Sequence, residues 1–192
     1  MRAGLGNARR RTSGGLTLIE MLAAVAILAI LTVLAAPSFE DFRVRERLKG
    51  AAHNVFISLQ MARSEAVERN EILVVSFGTG TGWCLAVHTA NTTVNGDCEC
   101  ATATECIKRV TSTEFPGVTL AQAQFSAGGG NVGSFRIDPR RGQIVDATGA
   151  PMTGSVRLDA AGPRQVRADL NALGRVRLCV ETGYLPGFVQ CS

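Results

Sequence analysis

Apolar residues fill positions 16–36 almost without a break, the polar exceptions being Thr17, Glu20 and Thr32. A run of 21 residues can cross a bilayer as one helix, because the hydrocarbon core takes about 20. Glu20 lies one turn inside that run. A carboxylate without a partner costs up to about 2.5–3.5 kcal/mol at the bilayer centre, and less near an end of the span, so a charge kept there calls for a partner. Pro37 closes the run and can kink a helix without ending it.

Past Pro37 the chain turns amphipathic. Leu48, Ala52, Val55, Leu59, Ala62 and Ala66 follow one another at helical spacing, the stripe of a helix with one buried face. Glu65 and Arg69 make an i,i+4 pair in the favourable order. The pattern predicts one helix over about 16–70, with 16–36 its transmembrane half and 37–70 its amphipathic half. From Ile72 the period shortens, and 72–77, 83–88, 107–111, 118–124, 134–137, 155–158, 166–170 and 176–180 read as short strands between Gly, Asn, Asp and Pro clusters. The expected class is α+β, one long N-terminal helix packed on a C-terminal antiparallel β domain over 71–192. The segments 89–105 and 127–132 read as loops. Gly128, Gly129 and Gly130 lack the Lys-Ser/Thr of a phosphate loop, which makes them a flexible connection and not a nucleotide site.

Charge sets orientation and little else. The formal charge of +4 includes Arg2, Arg9, Arg10 and Arg11, all ahead of the apolar run; without them 16 basic residues face 16 acidic ones. That leader has no acid, and a mixed cluster follows the run, so the positive-inside rule places the N-terminus in the cytoplasm and the remainder across the membrane. All six cysteines, Cys84, Cys98, Cys100, Cys106, Cys179 and Cys191, lie beyond the run, where an oxidising compartment permits disulfides. Cys179 with Cys191 is a natural closure of the C-terminal tail, and Cys84 with one of Cys98, Cys100 or Cys106 is the next pairing. A zinc site built from Cys84, Cys98, Cys100 and Cys106 is the rival; the Cys-x-Cys spacing and the compartment disfavour it.

Gly14-Gly15 followed by Leu16-Thr17-Leu18-Ile19-Glu20, with Arg9–Arg11 before and Pro37 after, resembles the leader of type IV prepilins and pseudopilins. The resemblance implies a leader over 1–15, cleaved after Gly15 by a prepilin peptidase and followed by N-methylation of Leu16. It also implies that Glu20 pairs with the terminal amine of a neighbouring subunit during assembly, since a buried carboxylate is tolerated once an opposite charge lies against it. A secretory signal cleaved near Ala35 and Ala36 is disfavoured by Glu20 and by the length of the run; a plain anchor leaves Glu20 unexplained.

The stretch from Leu59 to Asn70, running directly into an apolar strand, and Gly174-Arg175-Val176-Arg177 near the end resemble the GspH/FimT family of minor pseudopilins and minor pilins. That resemblance implies a pilin-like fold and a structural subunit of the inner membrane, at the tip of a type IV pilus or a type II secretion pseudopilus. Its partners would be other minor pilins or pseudopilins.

No catalytic constellation accompanies His53 or His88, and neither a cofactor nor an enzyme activity is expected; an enzyme on a membrane stalk is the weakest alternative. Asn91-Thr92-Thr93 is read as a chance sequon. The arginines are more telling. From Leu120 onward there are eight, at 136, 140, 141, 157, 164, 167, 175 and 177, against five acids. In an extended segment Arg175 and Arg177 share one face about 6.6 Å apart, which suits backbone phosphates. In the FimT branch the corresponding motif is associated with binding DNA, so double-stranded DNA is an alternative partner. The competing reading is an ordinary solvated strand face.

Overall fold

Thr17 opens α1 (Leu18–Arg69), its carbonyl accepting from the N–H groups of Glu20 and Met21 at 3.1 and 3.2 Å. The computed structural model describes residues 17–90, 106–127 and 133–191, apart from the side chains of 34–38. The chain forms two units, Met1–Glu40 and Asp41–Ser192, and the helical backbone continues through Pro37. In the first unit every residue over 18–33 is exposed, bulky side chains such as Leu18, Ile19 and Leu22 included. Among the described residues no helix is long and apolar enough to cross a membrane. The stretch with described side chains, 17–33, stops short of the about 20 residues that a bilayer core takes.

The second unit holds the core. All six stripe residues of α1, Leu48 through Ala66, are at most 4 % exposed, joined by Ala51 and Ser58. These residues share one core with apolar side chains of both five-stranded sheets. The helix ends as the chain demands: Asn70 takes a left-handed φ of 52°, and the Glu71 N–H reaches back to the Ala66 carbonyl at 3.2 Å. That bond satisfies a terminal carbonyl, and Asn is one of the few non-glycine residues to tolerate the geometry.

One sheet is ordered β3-β2-β1-β5-β6, from β1 (Leu73–Gly78), β2 (Cys84–Thr89), β3 (Lys108–Thr111), β5 (Ser134–Asp138) and β6 (Gln143–Val145). The other is β10-β9-β8-β7-β4, from β4 (Val118–Ser126), β7 (Thr153–Ala160), β8 (Arg164–Leu170), β9 (Val176–Thr182) and β10 (Val189–Gln190). Phe77 and Phe135 of the first sheet meet Phe125 of the second, with ring centroids 5.5 and 4.8 Å away. Trp83 is fully buried and donates its indole N–H to the Val118 carbonyl at 2.9 Å, the partner that a buried tryptophan needs.

Every predicted strand has a counterpart, and the strand pairings are antiparallel as expected apart from the last. β10 pairs parallel with β9, Val189 beside Cys179. The tail loops back over 183–188 and Cys191 is bridged to Cys179, so the last residues run in the direction of β9. Cys84 is disulfide-bonded and Cys106 is free, which removes Cys106 from its three expected partners; Cys98 and Cys100 lie outside the described residues. Burial pushes the Cys106 thiol up, and Arg109 offsets this in part. The proposed loops fall mostly outside the described residues, at 91–105 and 128–132.

An ion cluster fastens the start of this unit. Asp41 accepts from Arg45 one turn along and from Arg164, whose guanidinium also reaches the Ala161 carbonyl at 2.7 Å. The Arg45 hydrogen bond, then that of Arg164, holds the Asp41 carboxyl below its usual value. A carboxylate with a depressed folded pKa stabilises the fold above its unfolded value and loses that contribution as pH falls through the folded one. Asp41→Asn should therefore lower the melting temperature near neutral pH and narrow the gap between melts at about pH 7 and about pH 3; an unchanged gap would show that the cluster contributes nothing.

Candidate functional site

Gly15 and Leu16, the expected cleavage and methylation positions, lie outside the described residues, as does the side chain of Pro37. Glu20 stands in the first turn of α1, its N–H shared between the carbonyl of Thr17 at 3.1 Å and the Thr17 hydroxyl at 3.3 Å. Its carboxylate has no partner among the described residues. Among the described residues, then, the site on this helix is a negative charge without a partner on an exposed apolar surface.

At the other end, the motif at 174–177 is built by a turn. Asn171 organises it: its side-chain oxygen accepts from the N–H groups of Leu173 and Arg175 at 3.1 and 2.9 Å, and its carbonyl accepts from the Gly174 N–H at 2.9 Å. Gly174 is buried with φ of 72°, and a Cβ there would lie 2.5 Å from the Gly142 carbonyl oxygen. Gly142, with φ of 61°, ends the turn between β5 and β6, and a Cβ on it would come 2.7 Å from Arg63 Nε. Arg63 of α1 therefore lies against both glycine turns, which also share the Ile144 N–H to Ala172 carbonyl bond at 3.1 Å.

Arg175 precedes β9 and Arg177 lies within it; both are exposed, while Val176 and Leu178 between and after them pack on the core. Sequence reasoning had placed the two arginines together, and the alternation agrees. Their surroundings differ. Arg177 sits in register beside Asp169 of β8, whereas Arg175 follows Gly174, the residue that meets Gly142.

The eight late arginines divide in two. Arg157 faces Asp159 at 3.5 Å, Arg164 holds Asp41, and Arg167 bridges Asp169 at 2.8 Å and Glu181 at 3.0 Å. The Arg157 and Arg167 pairs knit the outer face of the second sheet, and Arg164 ties that sheet to α1. Arg136, Arg140, Arg141, Arg175 and Arg177, with Arg63, make no ion pair among the described residues; Arg136 donates to the Ala147 carbonyl at 3.4 Å.

The histidines have structural places. His88 is buried with one ring nitrogen 3.0 Å from the Thr89 carbonyl and the other 3.3 Å from the Ser76 hydroxyl, a ring with a partner on both sides. His53 packs against the Phe188 ring at 5.5 Å. No group of metal-ligating side chains forms among the described residues.

Residues 51–174 match the family described as type II transport protein GspH. The chain belongs to this family. Residues 10–36 match the prokaryotic N-terminal methylation motif. The crystal structure of the type IV minor pilin FimU from Pseudomonas aeruginosa PAO1 shares the fold, with a TM-score of 0.52 at 17 % identity over 75 % of this chain and 98 % of that one. Among curated proteins none matches significantly. The methylation motif, the GspH match and the pilin fold make the chain a minor pilin or pseudopilin of GspH/FimT type. The GspH match runs from the buried stripe of α1 to Gly174, so Arg175 and Arg177 lie just past its end. What sequence reasoning missed is Arg63 and the meeting of the two glycine turns; the only signal was glycine beside arginine in both, at 141–142 and 174–175.

Proposed function

We propose that this GspH-family subunit is cut between Gly15 and Leu16 by a prepilin peptidase on the cytoplasmic side of a bacterial inner membrane and methylated at Leu16. The segment 16–36 then holds it as a single-pass protein, kinked at Pro37, with its β domain in the periplasm. From there it joins other minor pilins or pseudopilins at the tip of a type IV pilus or type II secretion pseudopilus. Its role is structural, the peptidase acting on it.

The observation that carries this reading is the methylation motif at 10–36, which includes Glu20, whose carboxylate has no partner among the described residues and stands on an exposed apolar helix. Such a helix is stable only in lipid or against other apolar helices, and such a charge only beside an opposite one. Coexpression with the peptidase should convert the wild-type chain to a faster band on a denaturing gel, while Gly15→Trp stays at precursor size. Equal mobility of the wild-type chain with and without peptidase would sink the proposal.

A second reading, binding of double-stranded DNA, is favoured by one observation: Arg175 and Arg177 are exposed and make no ion pair among the described residues. Guanidinium groups left without carboxylates are available to phosphates. Loss of duplex binding when both become Gln is its direct test.

A further inference from the structure

Three turns meet where the unit Asp41–Ser192 begins. Val118, which follows the turn over 115–117, pairs with Ala160, and a Cβ on Gly183 would lie 2.3 Å from the Pro163 carbonyl oxygen, so the turns over 115–117, 161–163 and 183–187 adjoin one another. The start of α1 within this unit reaches the same place, Asp41 accepting from Arg164 and Arg47 donating to the Pro116 carbonyl at 3.5 Å. None of the three turns carries a charge: they read Phe-Pro-Gly, Ala-Gly-Pro and Gly-Tyr-Leu-Pro-Gly. The turns beside Arg63, about 33 Å further along α1 at 1.5 Å per residue, have another character. That over 138–142 holds Asp138, Arg140 and Arg141, and Arg175 follows Gly174. The chain's one tyrosine, Tyr184, stands 70 % exposed on the uncharged turns, its hydroxyl without a hydrogen bond among the described residues. Its turn is held firmly: Leu185 is buried and its carbonyl accepts the Phe188 N–H at 3.2 Å, Phe188 packs on His53, and the Cys179–Cys191 bridge closes the tail.

We propose that these three turns are a foot by which the β domain rests on the membrane surface before assembly, with the Tyr184 ring inserted at the level of the lipid headgroups. The proposal rests on the reading of 16–36 as a membrane span. On that reading chain length sets the partner: the five residues from Pro37 to Asp41 span at most about 18 Å by any path, and the headgroup layer on each side of the hydrocarbon is itself about 5–8 Å deep. The turns that adjoin Asp41 are thus held next to a bilayer in the free subunit. Their chemistry suits that neighbour. Charged turns lose hydration on entering a headgroup layer, whereas uncharged ones lose little. Tyrosine has an apolar body and a polar tip, and settles at the membrane–water interface with its ring toward the acyl chains and its hydroxyl among the headgroups. A rigid turn presents the ring without ordering a mobile segment first. The charges at this end are engaged already, Asp41 with Arg45 and Arg164. A second copy of the chain is the rival occupant.

The test uses the full chain reconstituted into phosphatidylcholine–phosphatidylglycerol vesicles, with and without bromine on the acyl chains. Y184W exchanges one exposed ring for another and leaves the core untouched, and the wild-type chain, whose single tryptophan Trp83 is fully buried, supplies the background emission. The added indole should lose about half of its emission to the brominated lipid, as a ring at the interface would, and should be shielded from acrylamide in the water. L173W, at an exposed position beside Gly174, should keep its emission and stay open to acrylamide. Vesicle-borne Y184W that shows no quenching by bromine, with acrylamide access equal to that of L173W, overturns the docking and leaves the span standing. A wild-type chain that is stripped from the vesicles by alkaline extraction overturns the span, and the docking with it. Shielding of Y184W from acrylamide without bromine quenching, and rising with the ratio of protein to lipid, overturns the docking as well and assigns the turns to a second copy of the chain.

Discussion

Replacing Gly174 with valine should lower the unfolding free energy of the domain by about 3 kcal/mol or more. Two costs add. A β-branched residue held at φ of 72° pays roughly 1–3 kcal/mol for occupying a sparsely populated region, and its Cβ would sit 2.5 Å from the Gly142 carbonyl oxygen, a backbone atom that cannot rotate aside. Overpacking of that kind costs about 1–3 kcal/mol more. For a domain of this size the melting temperature should drop by about 6–12 °C. Gly149→Val is the control, because Gly149 has φ of 89° with nothing within 4 Å of the added carbon, so it reports backbone strain without the collision. Equal losses at the two positions would show that the turns do not touch.

This contact between distant turns marks the limit of what the sequence discloses. The helix was legible because its signal is local and periodic: Leu48, Ala52, Val55, Leu59, Ala62 and Ala66 are spaced for one face, and one face is what the sheets cover. The main strands were legible for the same reason, apolar residues at alternate positions between turn residues. β6 and β10 were not, being three and two residues long, too short to show a period. β10 also runs parallel to its neighbour, an arrangement set by the return of the tail and the Cys179–Cys191 bridge. Arg175 and Arg177 were seen as a pair because two residues along a strand is a local distance. Arg63 could not be tied to Gly142 and Gly174 in this way, for only tertiary packing brings the helix against the two turns. The division of the late arginines has the same character. Arg164 reads as a loose basic residue beside Pro163, and only the fold puts Asp41 against it across 123 positions.

Glu20→Leu should leave the chain processed and membrane-bound yet exclude it from the assembled filament. The substitution removes a carboxylate that costs up to about 2.5–3.5 kcal/mol within a span, so retention in the bilayer should be as strong as in wild type or stronger. Cleavage between Gly15 and Leu16 should continue, since Gly15 is intact. What is lost, on the proposed assembly, is the charge that selects a neighbour's terminal amine. An ion pair in a low-dielectric setting fixes register because sliding one helix past another separates the charges, while leucine packs against an apolar helix almost equally well at many offsets. Sheared filament fractions should then contain the wild-type subunit and none of the variant, with the variant recovered whole from the membrane fraction. Glu20→Asp should retain partial incorporation, its carboxylate one methylene short of the same amine. If Glu20→Leu entered filaments at the wild-type level, the carboxylate would have no part in assembly. The exposed helix over 18–33 would then have to take its register from side-chain shape alone.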